Sequence, residues 1–235
     1  MDSRKQYAFV SGANRGIGYE LVQQLANQSY LVIAGYRNEA KAQTLLHQAN
    51  SHSQILPFKV DTTVEDDLQT LHNFTATQFG SLDLLINNAG INLKREADLN
   101  ELAWPDLTHH LDVNVGGPFL TTKYMYPLIK KGIGKKVVNI SSRLGSIDLS
   151  GGGSIPYRLS KTSLNMLTRQ QAIAYQADGI TVVSISPGWV QTDMGGNSAP
   201  LRVQDSVGQI LQQIDKLALA QSGQFIDLDG SSIPY

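Results

Sequence analysis

The sequence contains no cysteine, which excludes disulfide bonds, thiolate catalysis and zinc sites built on cysteine. The chain also has little net charge, −1, and its 17% of charged residues is ordinary for a globular protein. No basic excess points to nucleic acid or to an anionic membrane as a partner. No apolar run reaches the length that spans a bilayer, and the polar residues 1–6 lack the apolar core of a signal peptide. We therefore expect a cytoplasmic protein that binds neither nucleic acid nor membranes.

The histidines do not suggest a metal site. None of the five shows a spacing with carboxylates that is typical of zinc ligands. We interpret them as surface or packing residues, namely His47, His52, His72, His109 and His110.

Length and apolar content fit one α/β domain over residues 1–235, since 235 residues with 41% hydrophobic side chains can bury a sizeable core. The predicted strands are residues 7–10, 31–36, 55–60, 82–86, 136–140, 181–185 and 224–227. Helical patterns follow them, starting at Ile17, passing through residues 45–46, and covering 64–79, 99–111, 118–130, 157–175 and 203–220. This alternation predicts a Rossmann-type, doubly wound parallel sheet of about seven strands with helices on both faces.

Residues 11–18 form a glycine motif between the first strand and the first helix. In that context Gly12 permits a tight turn, Gly16 lets the backbone approach a pyrophosphate, and Gly18 lets helix and strand pack closely. The helix N-terminus then presents free N–H groups to the anion. Glycines of an ordinary turn are the alternative, but three at this spacing favour a dinucleotide site.

The end of the second strand predicts which dinucleotide is bound. An acidic residue there would hold the free ribose 2′-hydroxyl, but this chain has Tyr36 followed by Arg37. A guanidinium suits a 2′-phosphate, and Arg15 lies near the same corner. The alternative is that both arginines are solvated surface residues. We predict NADP(H) rather than NAD(H).

Tyr157 and Lys161 are four residues apart, so a helix places the phenol and the ammonium on one face. We expect Ser154 to cap this helix and Pro156 to lie in its first turn. An apolar stripe is predicted at Leu159, Leu164, Leu167 and Ala174. A lysine cation favours the phenolate and is expected to draw the tyrosine pKa down towards the range of a general acid or base. Taken alone, the pair is better explained as a surface lysine beside a half-buried tyrosine, because this spacing is common by chance.

Together these motifs resemble one family along nearly the whole chain, the short-chain dehydrogenases/reductases. The matching motifs, in family order, are residues 11–18, residues 87–90, Asn114, Ser142, the Tyr157 and Lys161 pair, and residues 187–188. Residues 192–196 and 223–230 are similar to the carbonyl-reductase and C-factor branch.

The resemblance implies catalytic roles for four residues. Tyr157 would exchange a proton with the substrate oxygen, and Lys161 would lower the tyrosine pKa and hold the nicotinamide ribose. Ser142 would hydrogen-bond the carbonyl or alcohol, with Ser141 and Ser146 as alternatives. Asn114 would hold a water that relays protons to Lys161, unless it only patches a broken helix.

The resemblance also implies a cofactor-binding set. Asp61 would contact adenine, Asn88 the adenosine side and Thr192 the carboxamide, unless Thr192 only caps a turn. The other residues expected to bind the cofactor, besides Tyr157 and Lys161, are Gly12, Asn14, Arg15, Gly16, Ile17, Gly18, Tyr36, Arg37, Ala89, Gly90, Pro187, Gly188 and Val190.

The function expected from these roles is NADP(H)-dependent interconversion of carbonyl compounds and alcohols. The first alternative is a 3-oxoacyl reductase of lipid synthesis, which would need a basic docking patch such as the lysine pairs at 130–131 and 135–136. The second is a non-catalytic NADP-binding regulator, which would not need the four catalytic side chains.

Relatives of this family usually pair through the two long helices after the fourth and fifth strands, so a homodimer or homotetramer is expected. The apolar side chains offered there are Pro118, Phe119, Leu120, Tyr124, Met125, Leu164 and Leu167, which would serve either a partner or the core.

Overall fold

A computed structural model describes residues 5–235 of the chain. Residues 1–4, where most of the polar start lies, are outside the described part. Seven parallel strands form one sheet in the order β3-β2-β1-β4-β5-β6-β7. They are β1 (Gln6–Val10), β2 (Tyr30–Tyr36), β3 (Ile55–Lys59), β4 (Leu84–Asn87), β5 (Lys136–Ile140), β6 (Thr181–Ile185) and β7 (Phe225–Ile226). The predicted fold class is confirmed.

Helices cover both faces of this sheet. They are α1 (Gly16–Asn27), α2 (Gln43–Ala49), α3 (Glu65–Gln78), α4 (Trp104–Leu111), α5 (Gly117–Ile129), α6 (Ile155–Tyr175) and α7 (Val203–Lys216). Side chains alternate along each strand, so Ala8 and Val10 of β1 join the core under α1, α2 and α7. Phe9 between them joins the core under α3 and α5.

The strand order reverses between β1 and β4, which places a crevice outside their carboxyl ends. The chain winds outwards from β1 to β3, then returns to β4 on the other side of β1 and winds outwards to β7. Open α/β sheets bind their ligands at such a switch point. The loops that follow β1, β4, β5 and β6 all open onto it.

Two predicted helices end or begin elsewhere. Residues 99–111 hold a short 3-10 turn, Leu99–Glu101, and then α4, because the Asp106 carboxylate accepts from the Ala103 amide at 2.9 Å and starts a new helix. Helix α7 ends at Lys216 instead of Ala220, since Leu217 is extended, and a 3-10 turn follows at Leu219–Gln221.

The expected break near Asn114 was also wrong. A π-helical turn, Asp112–Gly116, joins α4 to α5 without interruption. Such single turns insert one residue into a helix and occur frequently at functional sites. The polar side chain of Asn114 therefore has a specific position within a continuous helical segment.

Helix α6 differs most from its sequence pattern. Pro156 lies in the first turn as predicted, but the Ser154 side chain forms no cap, because this residue is left-handed with φ 51°. Of the predicted stripe, Leu164 is buried whereas Leu159 and Ala174 are exposed. The face that contacts the sheet is mainly polar, with Ser160, Lys161, Asn165, Thr168 and Gln171 all buried.

Candidate active site

A cleft of about 570 Å³ opens at the carboxyl edge of the sheet. The sequence-predicted residues that line it are Gly12, Asn14, Arg15, Gly16, Ile17, Gly18, Arg37, Asp61, Asn88, Ala89, Gly90, Tyr157, Lys161, Pro187 and Thr192. Five others do not line it, namely Tyr36, Asn114, Ser142, Gly188 and Val190. The structure thus brings most of the predicted cofactor residues together with the tyrosine–lysine pair.

The glycine loop after β1 leaves no room for a side chain at Gly12 or at Gly18. A Cβ on Gly18 would lie 2.3 Å from the Gly12 carbonyl oxygen, and one on Gly12 would lie 2.9 Å from Ala89 Cα. Gly12 and Gly16 have φ of +65° and +55°, a region that favours glycine. The roles predicted for a tight turn and for close packing therefore match the geometry.

Residues after β4 hold this loop in place. The Ser11 hydroxyl accepts from the amides of Asn88 and Ala89, each at 3.0 Å. The Asn88 side-chain amide donates back to the carbonyl oxygens of Ser11 at 2.9 Å and Gly12 at 3.2 Å. The Asn88 side-chain amide thus donates its hydrogen bonds to the glycine loop and holds the shape of that loop.

Basic side chains gather at the end of β2. Arg37 Nη1 lies 3.7 Å from Asp61 Oδ2, and the Arg37 side chain is 64% exposed. Lys41 and Asn38, which the sequence reasoning missed, line the same end of the cleft. Their position in the short turn after the strand was a signal that could have found them. Tyr36, by contrast, packs into the core.

Arg15 does not point to the same partner as Arg37. Its guanidinium forms an ion pair with Asp193, from the loop after β6, and both side chains are largely exposed. The two loops are therefore joined across the mouth of the cleft. The pair leaves Arg37 and Lys41 as the cations that line the cleft at the end of β2.

Tyr157 and Lys161 lie on the first turns of α6, and both side chains are buried. Lys161 Nζ donates to the Ile140 carbonyl oxygen at 2.8 Å and lies 5.5 Å from the centre of the Tyr157 ring. Nζ also faces Gly90, where a Cβ would lie 3.7 Å away. The pair is thus fixed at the floor of the cleft, between the ends of β4 and β5.

The pKa of Tyr157 shifts in the direction opposite to the sequence prediction. Burial raises the pKa of Tyr157 to about 12, while interactions with the Ser142 hydroxyl and the Arg95 charge lower it. Burial also lowers the pKa of Lys161 to about 8. Removal from water disfavours the charged form of both groups, and this outweighs the attraction that the pattern suggested.

Of the three candidate serines, Ser142 is the one whose hydroxyl interacts with the Tyr157 phenol. Ser141 donates instead to Asn165 Oδ1 at 2.7 Å, and the Ser146 hydroxyl accepts from the Leu149 amide at 3.1 Å. The Ser142 hydroxyl accepts from the Leu144 amide at 3.1 Å and interacts with Tyr157. Of the three candidates, the geometry therefore favours Ser142.

Asn114 is buried behind the lysine, on the π-helical turn. Its Oδ1 accepts from the Ile91 amide at 2.8 Å, and its Nδ2 donates to the Ile91 carbonyl oxygen at 2.9 Å. Nδ2 also donates to the Ser160 hydroxyl, which in turn donates to the Tyr157 carbonyl oxygen at 2.7 Å. Asn114 thus ties the loop after β4 to the helix that carries Tyr157, a link through Ser160 that the motif did not reveal.

The loop after β6 closes the other side of the cleft. The Pro187 carbonyl oxygen accepts from the Ser206 hydroxyl at 2.7 Å, and Gly188 has φ of +75°. Val190 is buried, and the Thr192 hydroxyl accepts from the Gly195 amide at 2.9 Å. The turn-capping alternative for Thr192 is therefore present in the structure, although Thr192 also lines the cleft.

A family model described as short chain dehydrogenase matches residues 6–201. The chain belongs to the short-chain dehydrogenase family. Among curated relatives, the C-signal protein of Myxococcus xanthus is 38% identical over 157 residues, which cover 66% of this chain and 94% of that protein. The resemblance stated from the motifs is confirmed.

Solved short-chain dehydrogenase structures superpose closely on this one. Carbonyl reductase Sniffer of D. melanogaster has a TM-score of 0.93 and 35% identity, covering 99% of this chain and 100% of its own. An NADPH-bound carbonyl reductase from chicken fatty liver has a TM-score of 0.92 and 32% identity, with the same coverage. The neighbours therefore include carbonyl reductases, one of them described with NADPH.

Proposed function

We propose that this oxidoreductase interconverts ketones or aldehydes and alcohols with NADP(H), and that Tyr157 is its general acid and base. The observation that carries the proposal is the buried phenol beside Lys161 at the floor of the cleft that the glycine loop opens. Residues 1–235 would act as one domain, and a cytoplasmic location stays a prediction.

The cleft fits the proposed cofactor on two counts. A side chain on Gly18 would collide with the Gly12 carbonyl oxygen, so the start of α1 packs closely on the glycine loop, as a dinucleotide site requires. Within residues 5–235, no acid before Asp61 lines the cleft at the end of β2, whereas Arg37 and Lys41 do, and cations there suit a 2′-phosphate. When bound, NADP(H) would donate or accept the hydride.

The protein side of the chemistry is proton transfer. During reduction the Tyr157 hydroxyl would donate its proton to the substrate oxygen, and Ser142 would donate a hydrogen bond to the same oxygen. A pKa of about 12 keeps the phenol protonated near neutrality, as an acid must be. Oxidation needs the phenolate, so its rate should rise with pH. Lys161 and Asn114 would hold the ribose and the proton-relay water that the family resemblance implies.

An absorbance assay at the nicotinamide band tests the proposal. NADPH would be mixed with the protein and with acetophenone, cyclohexanone or an acetoacetyl thioester, and the same panel would be repeated with NADH. We expect a neutral ketone to be reduced, faster with NADPH. Tight NADPH binding without turnover of any carbonyl compound would instead identify a regulator.

The 3-oxoacyl reductase alternative loses its suggested docking patch. Lys130 forms an ion pair with Asp178, and Lys135 donates to the Asp178 carbonyl oxygen at 3.0 Å. Lys136 begins β5, so these lysines lie at the amino edge of the sheet, opposite the cleft. Faster turnover of the acetoacetyl thioester than of neutral ketones would nevertheless favour this alternative.

We also propose a homodimer or homotetramer. Met125 and Leu164, offered from the sequence as partner contacts, are buried in the core and Pro118 is buried in α5, so none of them serves a partner. Exposed apolar side chains remain, at Phe119 on α5 and at heptad spacing on α6, where Leu159, Met166 and Ile173 are exposed. Sedimentation that shows a monomer at micromolar concentration would refute this proposal.

A further inference from the structure

His110 is a buried histidine on the last turn of α4, where the sequence suggested only a surface or packing residue. It is 1% exposed to solvent, and both of its ring nitrogens have partners. Nδ1 lies 2.6 Å from the Asp106 carbonyl oxygen, and Nε2 lies 3.0 Å from the Leu93 amide nitrogen. The imidazole therefore joins α4 to the loop after β4.

The two partners fix the tautomer and the charge of the ring. A carbonyl oxygen only accepts hydrogen bonds, so the proton must lie on Nδ1. A backbone amide only donates, so Nε2 must present its lone pair to Leu93. A doubly protonated ring would place a second N–H group against the Leu93 N–H group. His110 is therefore a neutral imidazole with its single proton on Nδ1.

Asn114, four residues further along the helical segment, binds the same loop two residues earlier. Its Oδ1 accepts from the Ile91 amide at 2.8 Å, and its Nδ2 donates to the Ile91 carbonyl oxygen at 2.9 Å. One helical turn advances about 5.4 Å, and two residues of extended chain advance about 6.6 Å. Side chains one turn apart on the helix thus match alternate residues of the loop, and His110 and Asn114 together fix residues 91–93.

The loop needs this support because the chain turns sharply at Lys94. This residue has φ of +56°, in the left-handed region that side chains other than glycine adopt only where their surroundings enforce it. On one side of Lys94, the Leu93 amide donates to His110. On the other side, the Arg95 carbonyl oxygen accepts from the Ser154 amide at 2.8 Å, at the start of α6. The left-handed residue is therefore held between two fixed neighbours.

The same segment forms one wall of the cleft. Ile91 lines the cleft together with Tyr157 and Lys161. Arg95 Nη2 donates to the carbonyl oxygen of Met194, which lines the cleft from the loop after β6. The position of this wall therefore sets the space beside the tyrosine–lysine pair, where a carbonyl compound would lie.

We propose that His110 is a positioning residue for carbonyl reduction, which holds the Leu93 amide through its neutral ring and so keeps this wall in place. The inference rests on the proposed reaction at Tyr157. Without the hold, the substrate would have to order the wall when it binds, so that the loss falls on KM. The value of kcat should change little, because Lys161 and Ser142 keep their contacts.

The test compares His110→Asn with His110→Gln in the ketone assay. The Asn amide nitrogen takes the place of Nδ1, so it still donates to Asp106 but nothing reaches Leu93. The Gln amide oxygen takes the place of Nε2 and still accepts from Leu93. We expect the KM of the fastest ketone to rise roughly three- to tenfold in His110→Asn, the usual worth of one hydrogen bond, and at most about twofold in His110→Gln. In both variants kcat and NADPH affinity should stay within about twofold of the wild type.

His72→Gln is a matched control. His72 is a half-buried histidine on α3 that does not line the cleft, and its Nδ1 lies 2.8 Å from the Tyr124 carbonyl oxygen. Glutamine does not replace Nδ1, so the melting temperature should fall while the KM for the ketone stays unchanged. A second measurement needs no variant, since NMR of the ring nitrogens reports the tautomer. We expect His110 of the wild type to be neutral, with its proton on Nδ1.

Three results would overturn the inference. The first is an unchanged KM in His110→Asn, as expected of a histidine that only stabilises the fold. The second is an equal rise of KM in the Asn and Gln variants, and the third is a ring that is charged or protonated on Nε2. If His110→Asn does not fold, the NMR measurement decides. Each of these results, with Tyr157→Phe inactive, would leave the proposed function intact, whereas a wild type that reduces no ketone would refute the function itself.

Discussion

Helices α1 and α6 both start at the carboxyl edge of the sheet, but they pack against it with opposite chemistry. The buried face of α1 is apolar, with Leu21, Val22 and Leu25. That of α6 is mainly polar, and its Thr168 hydroxyl accepts from Asn139 Nδ2 at 2.8 Å and bonds the Ser184 hydroxyl at 2.7 Å. The difference follows from the groups that each helix contributes to the cleft at the carboxyl edge of the sheet.

Helix α1 brings only two glycines and Ile17 to the cleft, and no polar side chain. Its glycine-rich start offers N–H groups to an anion, so its side chains are free to fill the core. Helix α6 instead brings two buried polar side chains, Tyr157 and Lys161, to the cleft. Hydrogen-bonded residues such as Asn165 and Thr168 continue this buried polar face further along the helix. Buried polar groups that are satisfied in this way fix one arrangement, but are costly to disturb.

Paired core substitutions would test this contrast most strongly. Leu25→Ala should lower the free energy of unfolding by roughly 2–5 kcal/mol, because it leaves a cavity under α1. Thr168→Val keeps the shape but strands the Asn139 and Ser184 partners, and should cost roughly 1–3 kcal/mol. Denaturant unfolding measures both. A Thr168→Val protein that is more stable than the wild type would show that the buried polar face of α6 is not needed for stability.

A substitution in the glycine loop should weaken NADPH binding. Gly18→Ala places a methyl group 2.3 Å from the Gly12 carbonyl oxygen and 2.4 Å from Asn88 Nδ2. Overpacking of this kind costs typically 1–3 kcal/mol, so NADPH affinity should fall roughly 10- to 100-fold. Fluorescence titration measures it. Gly152→Ala is the control, because nothing lies within 4 Å of its added Cβ. Unchanged NADPH affinity in Gly18→Ala would mean that the loop does not hold the pyrophosphate.

The smallest effect is expected at the end of β2. Arg37→Ala removes an exposed cation whose present partner, Asp61, is 3.7 Å away. Solvent screening and the neighbouring Lys41 limit the loss, so the preference for NADPH over NADH, as a ratio of kcat/KM, should fall roughly tenfold. Arg202→Ala, which breaks a surface pair with Asp205, is the control. A wild type that prefers NADH would contradict the assignment of Arg37.

Sequence reasoning predicted the backbone-based half of the site well. Strand positions and the glycine turn depend on local periodicity and on backbone conformation, which single residues such as Gly12 and Gly16 reveal. The spacing of Tyr157 and Lys161 likewise placed both on one buried helix face. Each of these features depends on a few residues that are close together in the sequence.

What sequence reasoning missed depends on contacts between distant segments. The polar face of α6 was mistaken for an apolar stripe, because its partners Asn139 and Ser184 lie on other strands. The direction of the Tyr157 pKa shift was wrong, since the depth of burial is a tertiary property. The sequence also did not predict the ion pair between Arg15 and Asp193, because these residues are 178 positions apart.

The most direct test of the account is turnover by Tyr157→Phe. The change removes only the phenolic hydroxyl, so the glycine loop, the Lys161 hydrogen bond to Ile140 and NADPH affinity should stay near those of the wild type. Ketone reduction, followed at the nicotinamide band, should fall roughly 100- to 10,000-fold, the usual contribution of a general acid. A Tyr157→Phe protein that binds NADPH and keeps most of its reductase activity would contradict the central claim.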